Sequence, residues 1–338
     1  RCPCCGGVER RGGVERRGGL GCRGWLWGHR ESGGGPMSRL GERLADAGYA
    51  AGWAVVRGLP EGVARAAFRT GADLAARRQG PDSQLRKNLA RVLDVPPAEV
   101  PDELIRDSLR SYARYWREAF RLPSMDREAV AREMDRTISG VEHLDAALAG
   151  GRGVVVALPH AANWDLGGTW LARRYGGFAT VAERLKPESL YQRFLDYRES
   201  LGFTIYPLTG GDRPPFEALR EHLAAGEIVC LPGERDLRET GVPVTFFGEP
   251  TRMPAGAAKL AVATGAPLLV AHFWYEDEDT MRVRITPPID ISGGVESAVQ
   301  ALADEFAVGI AEHPADWHML QPLWLGDLSA RRRARLED

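Results

Sequence analysis

The fold of this 338-residue chain is decided by residues 153–168, which read GVVVALPHAANWDLGG. The run from Gly153 to Leu158 is short and wholly apolar, which is typical of a strand with both faces buried. Small residues follow it directly, and they indicate a sharp turn from the strand into a helix. A buried strand that turns at once into a helix is the repeating unit of a parallel α/β sheet.

The same alternation of strand and helix extends along the chain. Further apolar runs predict strands at 178–182, 204–208, 228–231, 268–275 and 282–286. Helical patterns lie between several of them, around 165–175, 188–201, 214–225 and 254–265. We therefore predict an α/β fold with a mostly parallel central sheet flanked by helices and preceded by N-terminal amphipathic helices. In such a sheet, sites form at the carboxyl ends of the strands.

The N-terminal third is helical in pattern. Residues 38–80 predict two Ala-rich helices broken at Gly58-Leu59-Pro60, and residues 102–122 predict a helix with an apolar stripe and many arginines. A basic amphipathic helix is typical of membrane interfaces, and a core-facing helix with a solvated charged face is the alternative. We divide the chain into a helical membrane-associating region (37–123), an α/β core (124–328) and a basic tail (329–338).

Residues 1–36 differ from the rest of the chain. They contain a tandem GGVERR repeat and four of the five cysteines. Gly-rich repeats without apolar periodicity cannot bury a core, so we expect a disordered extension and a natural start at Met37. The cysteines lack the Cys-x2-Cys pairs of zinc sites, so no metal is predicted.

Charge and hydropathy exclude several classes of protein. The formal net charge of −2 gives no basic bias, which disfavours a nucleic-acid partner. Cys230, the one cysteine beyond residue 36, implies no disulfide framework and fits a reducing cytosol. No secretory signal is visible, and the longest uncharged run in the N-terminal helical region, Ala47 to Val56, has 10 residues, well short of the roughly 20 that span a membrane. Membrane association is therefore expected to be peripheral.

His160 and Asp165 follow the first buried strand, five residues apart. If the chain turns into a helix there, the carboxylate can fold back on the imidazole. A carboxylate on one ring nitrogen fixes the tautomer and leaves the other nitrogen basic, as needed to deprotonate an attacking hydroxyl. The alternative is a structural histidine. His272 and Asp277 have the same spacing, but His272 lies mid-strand, and we interpret it as a core histidine.

Other polar residues are predicted at the same edge of the sheet. Glu234 follows another buried strand and is a candidate to contact His160 or the acceptor; an ion pair with Arg235 or Arg238 is the alternative. Arg184 and Lys186 follow the strand at 178–182 and can bind phosphate groups, unless they form an ordinary salt-bridged loop. Arg198 lies on the next helix, where it can pair with an acid in the site.

No serine or cysteine nucleophile stands out in the sequence. Beyond residue 36 it contains no Gly-x-Ser-x-Gly, no phosphate-binding loop and no Gly-x-Gly-x-x-Gly pattern. Direct transfer to an acceptor hydroxyl, without a covalent enzyme intermediate, is therefore the simplest mechanism. Positive groups or backbone N–H groups would stabilise the oxyanion.

Several motifs in their order resemble the bacterial lipid A biosynthesis acyltransferase family. Beside the stretch that ends at His160, they are ISGVEHL (138–144), AERLKP (182–187), YR (197–198), GERDL (233–237), FFGEPTRMPAG (246–256) and DWHMLQP (316–322). The resemblance runs from about Met37 to Leu328 and is strongest to the actinobacterial members that act on phosphatidylinositol mannosides. Residues 1–36 have no counterpart.

The resemblance implies an acyltransferase-type fold at the cytoplasmic face of the plasma membrane, held there peripherally. It implies acyl-CoA as co-substrate, often palmitoyl-CoA, with no other cofactor, and the 6-hydroxyl of a mannose in phosphatidylinositol mannosides as acceptor. His160 and Asp165 become the catalytic pair, with Glu234 as partner of the histidine and the sugar site. Arg198 supports the site, and Arg184 matches a basic position near the substrate.

One departure from the family and two alternatives stay open. Ala161-Ala162 stands where relatives often carry Ser-Gly, which changes the pocket but leaves the pair intact. A lipid A late acyltransferase, with acyl carrier protein as donor and a Kdo-bearing acceptor, is the first alternative. A catalytically inactive lipid-binding protein on the same fold is the second, and the presence of His160, Asp165 and Glu234 argues against it.

Overall fold

A seven-stranded sheet lies at the centre of the protein. The computed structural model describes residues 48, 51–184, 188–236, 240–329 and 333. The sheet has the order β1-β9-β8-β2-β5-β3-β4, and its neighbouring strands are parallel except for β8 and β9. The strands are β1 (Ile138–Ser139), β2 (Val154–Leu158), β3 (Phe178–Ala182), β4 (Phe203–Pro207), β5 (Ile228–Pro232), β6 (Val242–Phe246), β7 (Glu249–Met253), β8 (Leu268–Tyr275) and β9 (Met281–Ile285). The predicted mostly parallel sheet is confirmed.

Helices surround this sheet. Among the described residues they are α1 (51–58), α2 (Glu61–Ala76), α3 (Gln84–Leu93), α4 (Asp102–Arg121), α5 (Arg127–Thr137), α6 (Val141–Ala149), α7 (Trp164–Tyr175), α8 (Glu188–Ser200), α9 (Pro215–Ala224), α10 (Gly256–Thr264) and α11 (Gly294–Glu312). Local sequence sets several of these ends. The Asn163 side chain caps α7 by accepting from two backbone N–H groups, and left-handed Gly176 ends it.

The two faces of the sheet meet different surroundings, because successive residues of a strand point to opposite faces. Val155 and Ala157 of β2 belong to a large apolar core shared with α9, α10 and α11. Ala257 and Ala258 of α10 also lie in that core, so helix packing explains the small residues there. On the other face, the side chains of β2 line a pocket beneath α7.

The segment after β5 forms a feature that the sequence did not predict. β6 and β7 make a separate antiparallel hairpin, with Phe247 and Gly248 in its turn. Phe246 stacks on Trp324 at 5.8 Å and accepts a hydrogen bond from its indole N–H through the backbone. Prolines in both strands had hidden the strand pattern.

The N-terminal helices pack on one another and on the C-terminal segment. Leu85, Leu89, Ile105 and Leu109 form a second apolar core between α3 and α4. The arginines of α4 bind acids of the protein, as in the pair of Arg110 with Asp73 at 2.6 Å. Within the described residues, no helix is long and apolar enough to cross a membrane.

Several sequence predictions fall outside these residues or stay untested. The extension at 1–36 and the start at Met37 lie outside the described residues, as does nearly all of the tail at 330–338. The domain division at residues 37, 124 and 329 stays a prediction. The helix predicted at 102–122 is confirmed, and its apolar stripe faces the protein interior. Membrane association of region 37–123 also stays a prediction.

Candidate active site

Two neighbouring strands bring His160 and Glu234 together. β2 and β5 are parallel partners in which Leu158 lies opposite Pro232. The pairing continues for one step, because Gly233 N–H donates to the Leu158 carbonyl at 3.0 Å. His160 and Glu234 each stand two residues beyond their strand. The register of the sheet therefore places both side chains at the same carboxyl edge, where the sequence predicted a site.

One oxygen of Glu234 accepts two hydrogen bonds from His160. Oε1 lies 2.8 Å from Nδ1 of the imidazole and 2.6 Å from the His160 backbone nitrogen. The carboxylate is fully buried, while 36% of the His160 side chain is exposed. Burial alone would raise the pKa of the Glu234 carboxyl, but the His160 imidazole and nearby backbone N–H groups outweigh burial and lower it. Glu234 is therefore an anion at neutral pH.

This pair has the geometry of a general base. A carboxylate on Nδ1 holds the proton on that nitrogen and leaves the lone pair on Nε2. The Glu234 anion would also stabilise the imidazolium that forms when Nε2 takes a proton. The arrangement predicted for His160 is present, but the carboxylate that supplies it is Glu234.

Asp165 lies elsewhere than the sequence spacing suggested. It occupies the first turn of α7, is fully buried, and binds the Arg198 guanidinium at 2.9 and 3.3 Å. Burial would lower the pKa of Arg198, but the Asp165 charge outweighs it and raises that pKa. The helix begins at Trp164, so the carboxylate points toward α8, and the expected fold-back onto the His160 ring is not the contact that forms. The predicted pairing of Arg198 with an acid of the site is confirmed.

Helix α4 supports the start of α7. Glu118 accepts from the Asn163 side chain at 3.0 Å and from the Tyr275 hydroxyl at 3.2 Å. Arg114 holds the same carboxylate at 2.6 Å. Because Asn163 also caps α7, this buried network fixes the helix that carries Asp165.

Of the two basic residues predicted to bind phosphate after β3, the structure describes only Arg184. Arg184 binds Glu188 at 2.8 Å and the Gly210 carbonyl at 2.9 Å, as in the salt-bridged loop that was the alternative. Lys186 lies outside the described residues. Phosphate binding by Arg184 and Lys186 stays a prediction.

An apolar pocket begins beside the His160–Glu234 pair. It is floored by the sheet and roofed by α7. Its lining includes Leu158 and Pro232, the last residues of β2 and β5, together with Trp164 of α7. Farther from the pair it is lined by Leu144 and Ile285. The lining of the pocket suits an apolar ligand.

A third segment completes the site, and sequence reasoning assigned it no role. Ala161 and Trp317 form an isolated antiparallel bridge, in which His318 N–H donates to the His160 carbonyl at 2.8 Å. His318 therefore lies beside His160, although 158 positions separate them in sequence. The DWHMLQP motif was the available signal, but only the fold shows which residue it faces.

His272 has the structural role that was predicted for it. It is buried in β8, and its Nε2 lies 3.0 Å from Glu305 of α11. Its spacing to Asp277 matches that of His160 to Asp165, yet it lies within a strand instead of at a strand end. Position in the sheet, and not spacing, separates the two histidines.

Comparison with known proteins identifies the family. Residues 38–326 match the model of the bacterial lipid A biosynthesis acyltransferases. A phosphatidylinositol mannoside acyltransferase of Mycobacterium tuberculosis strain CDC 1551 is 62% identical over 302 residues, which cover 89% of this chain and 95% of the relative. Another, from Mycolicibacterium smegmatis, is 59% identical over 298 residues, 88% of this chain and 97% of the relative. The chain belongs to the bacterial lipid A biosynthesis acyltransferase family.

Proposed function

We propose that the chain moves a fatty acyl group, preferably palmitoyl, from acyl-CoA to the 6-hydroxyl of a mannose in phosphatidylinositol mannosides. The observation that carries the proposal is the His160–Glu234 pair, two residues beyond Leu158 and Pro232, which line one end of an apolar pocket. The names of relatives with 59–62% identity support the choice of acceptor.

The proposed reaction is a direct transfer. Nε2 of His160 takes the proton of the acceptor hydroxyl while its oxygen attacks the thioester carbonyl. The tetrahedral intermediate then loses the CoA thiolate as the C–S bond breaks, and the imidazolium returns the proton to that sulfur. Glu234 holds the ring and its charge throughout. The ion pair of Asp165 and Arg198 holds the start of α7 in position.

The pocket beneath α7 would hold the acyl chain. Each methylene group removed from water contributes about 0.8 kcal/mol, so a long chain gains substantial binding energy there. The lining is almost wholly apolar; its polar side-chain atoms are those of Thr180 and Cys230 and the indole nitrogens of Trp164 and Trp170. A thioester carbonyl at the open end would then lie near His160, as the reaction requires.

The donor head and the membrane complete the proposal. Arg184 and Lys186 would contact phosphate groups of acyl-CoA or of the lipid acceptor. The acceptor is a membrane lipid, so the enzyme would act peripherally at the cytoplasmic face of the plasma membrane.

The test is acyl transfer with purified components. Radiolabelled palmitoyl-CoA and palmitoyl-acyl carrier protein are offered separately, each with a phosphatidylinositol mannoside or a Kdo-bearing lipid A precursor. The wild type is compared with His160→Ala and with His143→Ala, a half-buried histidine on α6 that serves as matched control. We expect label from acyl-CoA on the mannolipid, about 10²–10⁴-fold slower in His160→Ala and unchanged in His143→Ala.

The other outcomes contradict the proposal in different ways. Label on the lipid A precursor alone would assign the chain to the late acyltransferases of lipid A. Binding of acyl-CoA without transfer to either lipid would favour an inactive lipid-binding protein. Near-normal transfer by folded His160→Ala would remove the general-base mechanism.

A further inference from the structure

The cluster around His318 lies beside the site but takes no part in the proton transfer proposed above. His318 contacts Ser111 of α4, with Nε2 2.9 Å from the hydroxyl oxygen. Ser111 in turn donates to Oδ1 of Asp316 at 2.6 Å. Tyr112 packs edge-on against the imidazole at a ring distance of 5.3 Å. Two neighbouring residues of α4, together with Asp316 from its own segment, thus surround His318.

The bridge at Ala161 and Trp317 sets the direction of the His318 ring. His160 and His318 are opposite neighbours in this short antiparallel pairing, and such neighbours project from the same face with Cβ atoms about 4.5–5.5 Å apart. Trp317, on the other face, is buried in the apolar core. The His318 ring therefore shares the open side with the His160 ring.

Hydrogen bonding fixes which nitrogen of His318 carries the proton. Asp316 is an acceptor at both oxygens, because Oδ2 accepts from the Tyr275 backbone N–H at 2.9 Å and Oδ1 from Ser111. The Ser111 proton is therefore used, and its oxygen must accept from Nε2–H of His318. Burial and the neighbouring His160 lower the pKa of His318 to about 3, so the ring is neutral. Nδ1 is left with a lone pair, and within the described part of the chain no group donates to it.

We propose that Nδ1 of His318 binds the acceptor by receiving a hydrogen bond from a second sugar hydroxyl, next to the hydroxyl that His160 deprotonates. This inference rests on the proposed function and extends it to recognition of a polyol acceptor. A water molecule has a single oxygen and cannot contact both His160 and His318 in the way that two neighbouring hydroxyls of a sugar can. His318 would thus favour sugar over water without entering the chemical step.

Two substitutions test the roles of Nδ1 and Nε2 of His318 separately. His318→Gln places an amide where Nε2 lies and keeps a partner for Ser111, but leaves nothing at the Nδ1 position. His318→Asn places its amide near the Nδ1 position and can still accept from the sugar. Initial rates are measured against acceptor concentration at saturating acyl-CoA, using whichever sugar lipid the wild type acylates. A net hydrogen bond of ordinary strength predicts an acceptor KM about threefold to tenfold higher in His318→Gln. We expect its kcat and donor KM to be unchanged, and the acceptor KM of His318→Asn to return toward wild type.

Deoxy acceptors identify the hydroxyl. Phosphatidylinositol mannosides that lack one mannose hydroxyl at a time are compared in the wild type and in His318→Gln. The analogue that lacks the contacted hydroxyl should lose affinity in the wild type and lose no more in the variant.

The contrary results are distinct. An unchanged acceptor KM in His318→Gln would overturn the inference while leaving the proposed function intact. Equal losses in kcat and in both KM values, not repaired by His318→Asn, would mean that His318 only supports the fold. A wild type that acylates no sugar lipid would overturn the proposed function and this inference together.

Discussion

At His160 a single carboxylate oxygen does two tasks, because Oε1 of Glu234 binds both the ring and the backbone of the same residue. Replacement by an amide keeps the shape of the side chain but removes the charge that fixes the tautomer. We expect Glu234→Gln to slow acyl transfer about 10²–10⁴-fold. The measurement is kcat at saturating substrates, with circular dichroism to verify folding. A loss below tenfold would mean that the anion is not needed.

The backbone at Ala162 is strained. Its φ of 44° lies in the left-handed region, where a side chain costs about 1–2 kcal/mol. The resemblance placed glycine at this position in many relatives. Glycine would relieve that strain, while losing a buried methyl group and restricting the unfolded chain less.

A matched pair of substitutions measures the strain. We expect Ala162→Gly to change the free energy of unfolding by less than about 1 kcal/mol. Ala161→Gly removes an equally buried methyl group without relieving any left-handed strain, and should be about 1–2 kcal/mol more destabilising. Urea unfolding of both variants provides the comparison. Equal losses would show that the loop is unstrained.

The site residues differ in how well their positions and contacts could be predicted from the sequence. His160 and Glu234 follow apolar runs, so the rule for parallel sheets predicted their common edge. The five-residue spacing to Asp165 gave the wrong contact, because a helix start directs that carboxylate toward Arg198. Ser111 carried no local signal, and the motif at 316–322 did not show that His318 meets His160, because only the bridge at Ala161 and Trp317 brings them together.

Among the helices, α7 lies unusually close to the sheet. A Cβ atom on Gly168 would come within 2.5 Å of the Phe203 ring and 3.1 Å of the Phe178 ring, and both rings are buried. We expect Gly168→Ala to lower the free energy of unfolding by about 1–3 kcal/mol through overpacking. Gly71 of α2 is exposed with open space around it, so Gly71→Ala should instead stabilise by up to about 1 kcal/mol. The same sign for both substitutions in urea unfolding would contradict the close approach.

Strand β5 offers a test of the acyl pocket. Cys230 points into the pocket, while its neighbour Val229 points into the core on the opposite face. Cys230→Met adds volume to the pocket, so transfer from palmitoyl-CoA should fall about tenfold more than transfer from octanoyl-CoA. Val229→Met adds volume to the core and should leave the ratio of the two rates unchanged. The ratio is measured in one assay with both donors, and equal ratios in the two variants would place the acyl chain elsewhere.

Most elements of the sheet were predictable because each is a short apolar run between helical patterns. The predicted strands and helices from residue 153 to 286 agree with the structure within one or two residues at most ends. The hairpin of β6 and β7 was missed, since Pro243 and Pro250 interrupt the alternation that marks a strand. No element was assigned to 294–312, where α11 has apolar residues on several sides because it lies against the core.

For the molecule as a whole, His318 predicts a loss of stability on acidification. Its pKa falls from 6.5 to about 3 on folding, so below pH 6.5 the unfolded chain binds a proton that the folded chain does not. The free energy of unfolding must therefore decrease as the pH falls through 6.5 toward 3. Asp316, whose pKa is raised by burial, acts in the opposite direction.

The variant His318→Asn isolates this contribution. We expect the loss of unfolding free energy between pH 7.5 and pH 5.0 to be smaller in His318→Asn than in the wild type, by up to about 2 kcal/mol. Guanidinium unfolding at the two pH values gives the difference, in which the titration of other groups largely cancels. An identical loss in both proteins would show that His318 is protonated in the folded state.

The bridge between Ala161 and Trp317 also orders events during synthesis. A ribosome adds about 5–20 residues per second, so the strand end that carries His160 leaves it well before the segment at 316–318 exists. An unfinished chain can form β2 and β5 without the Ala161–Trp317 bridge that holds His318 beside them. Completion of the site thus waits for the last part of the polypeptide, and a nascent or prematurely terminated chain has His160 without His318 beside it.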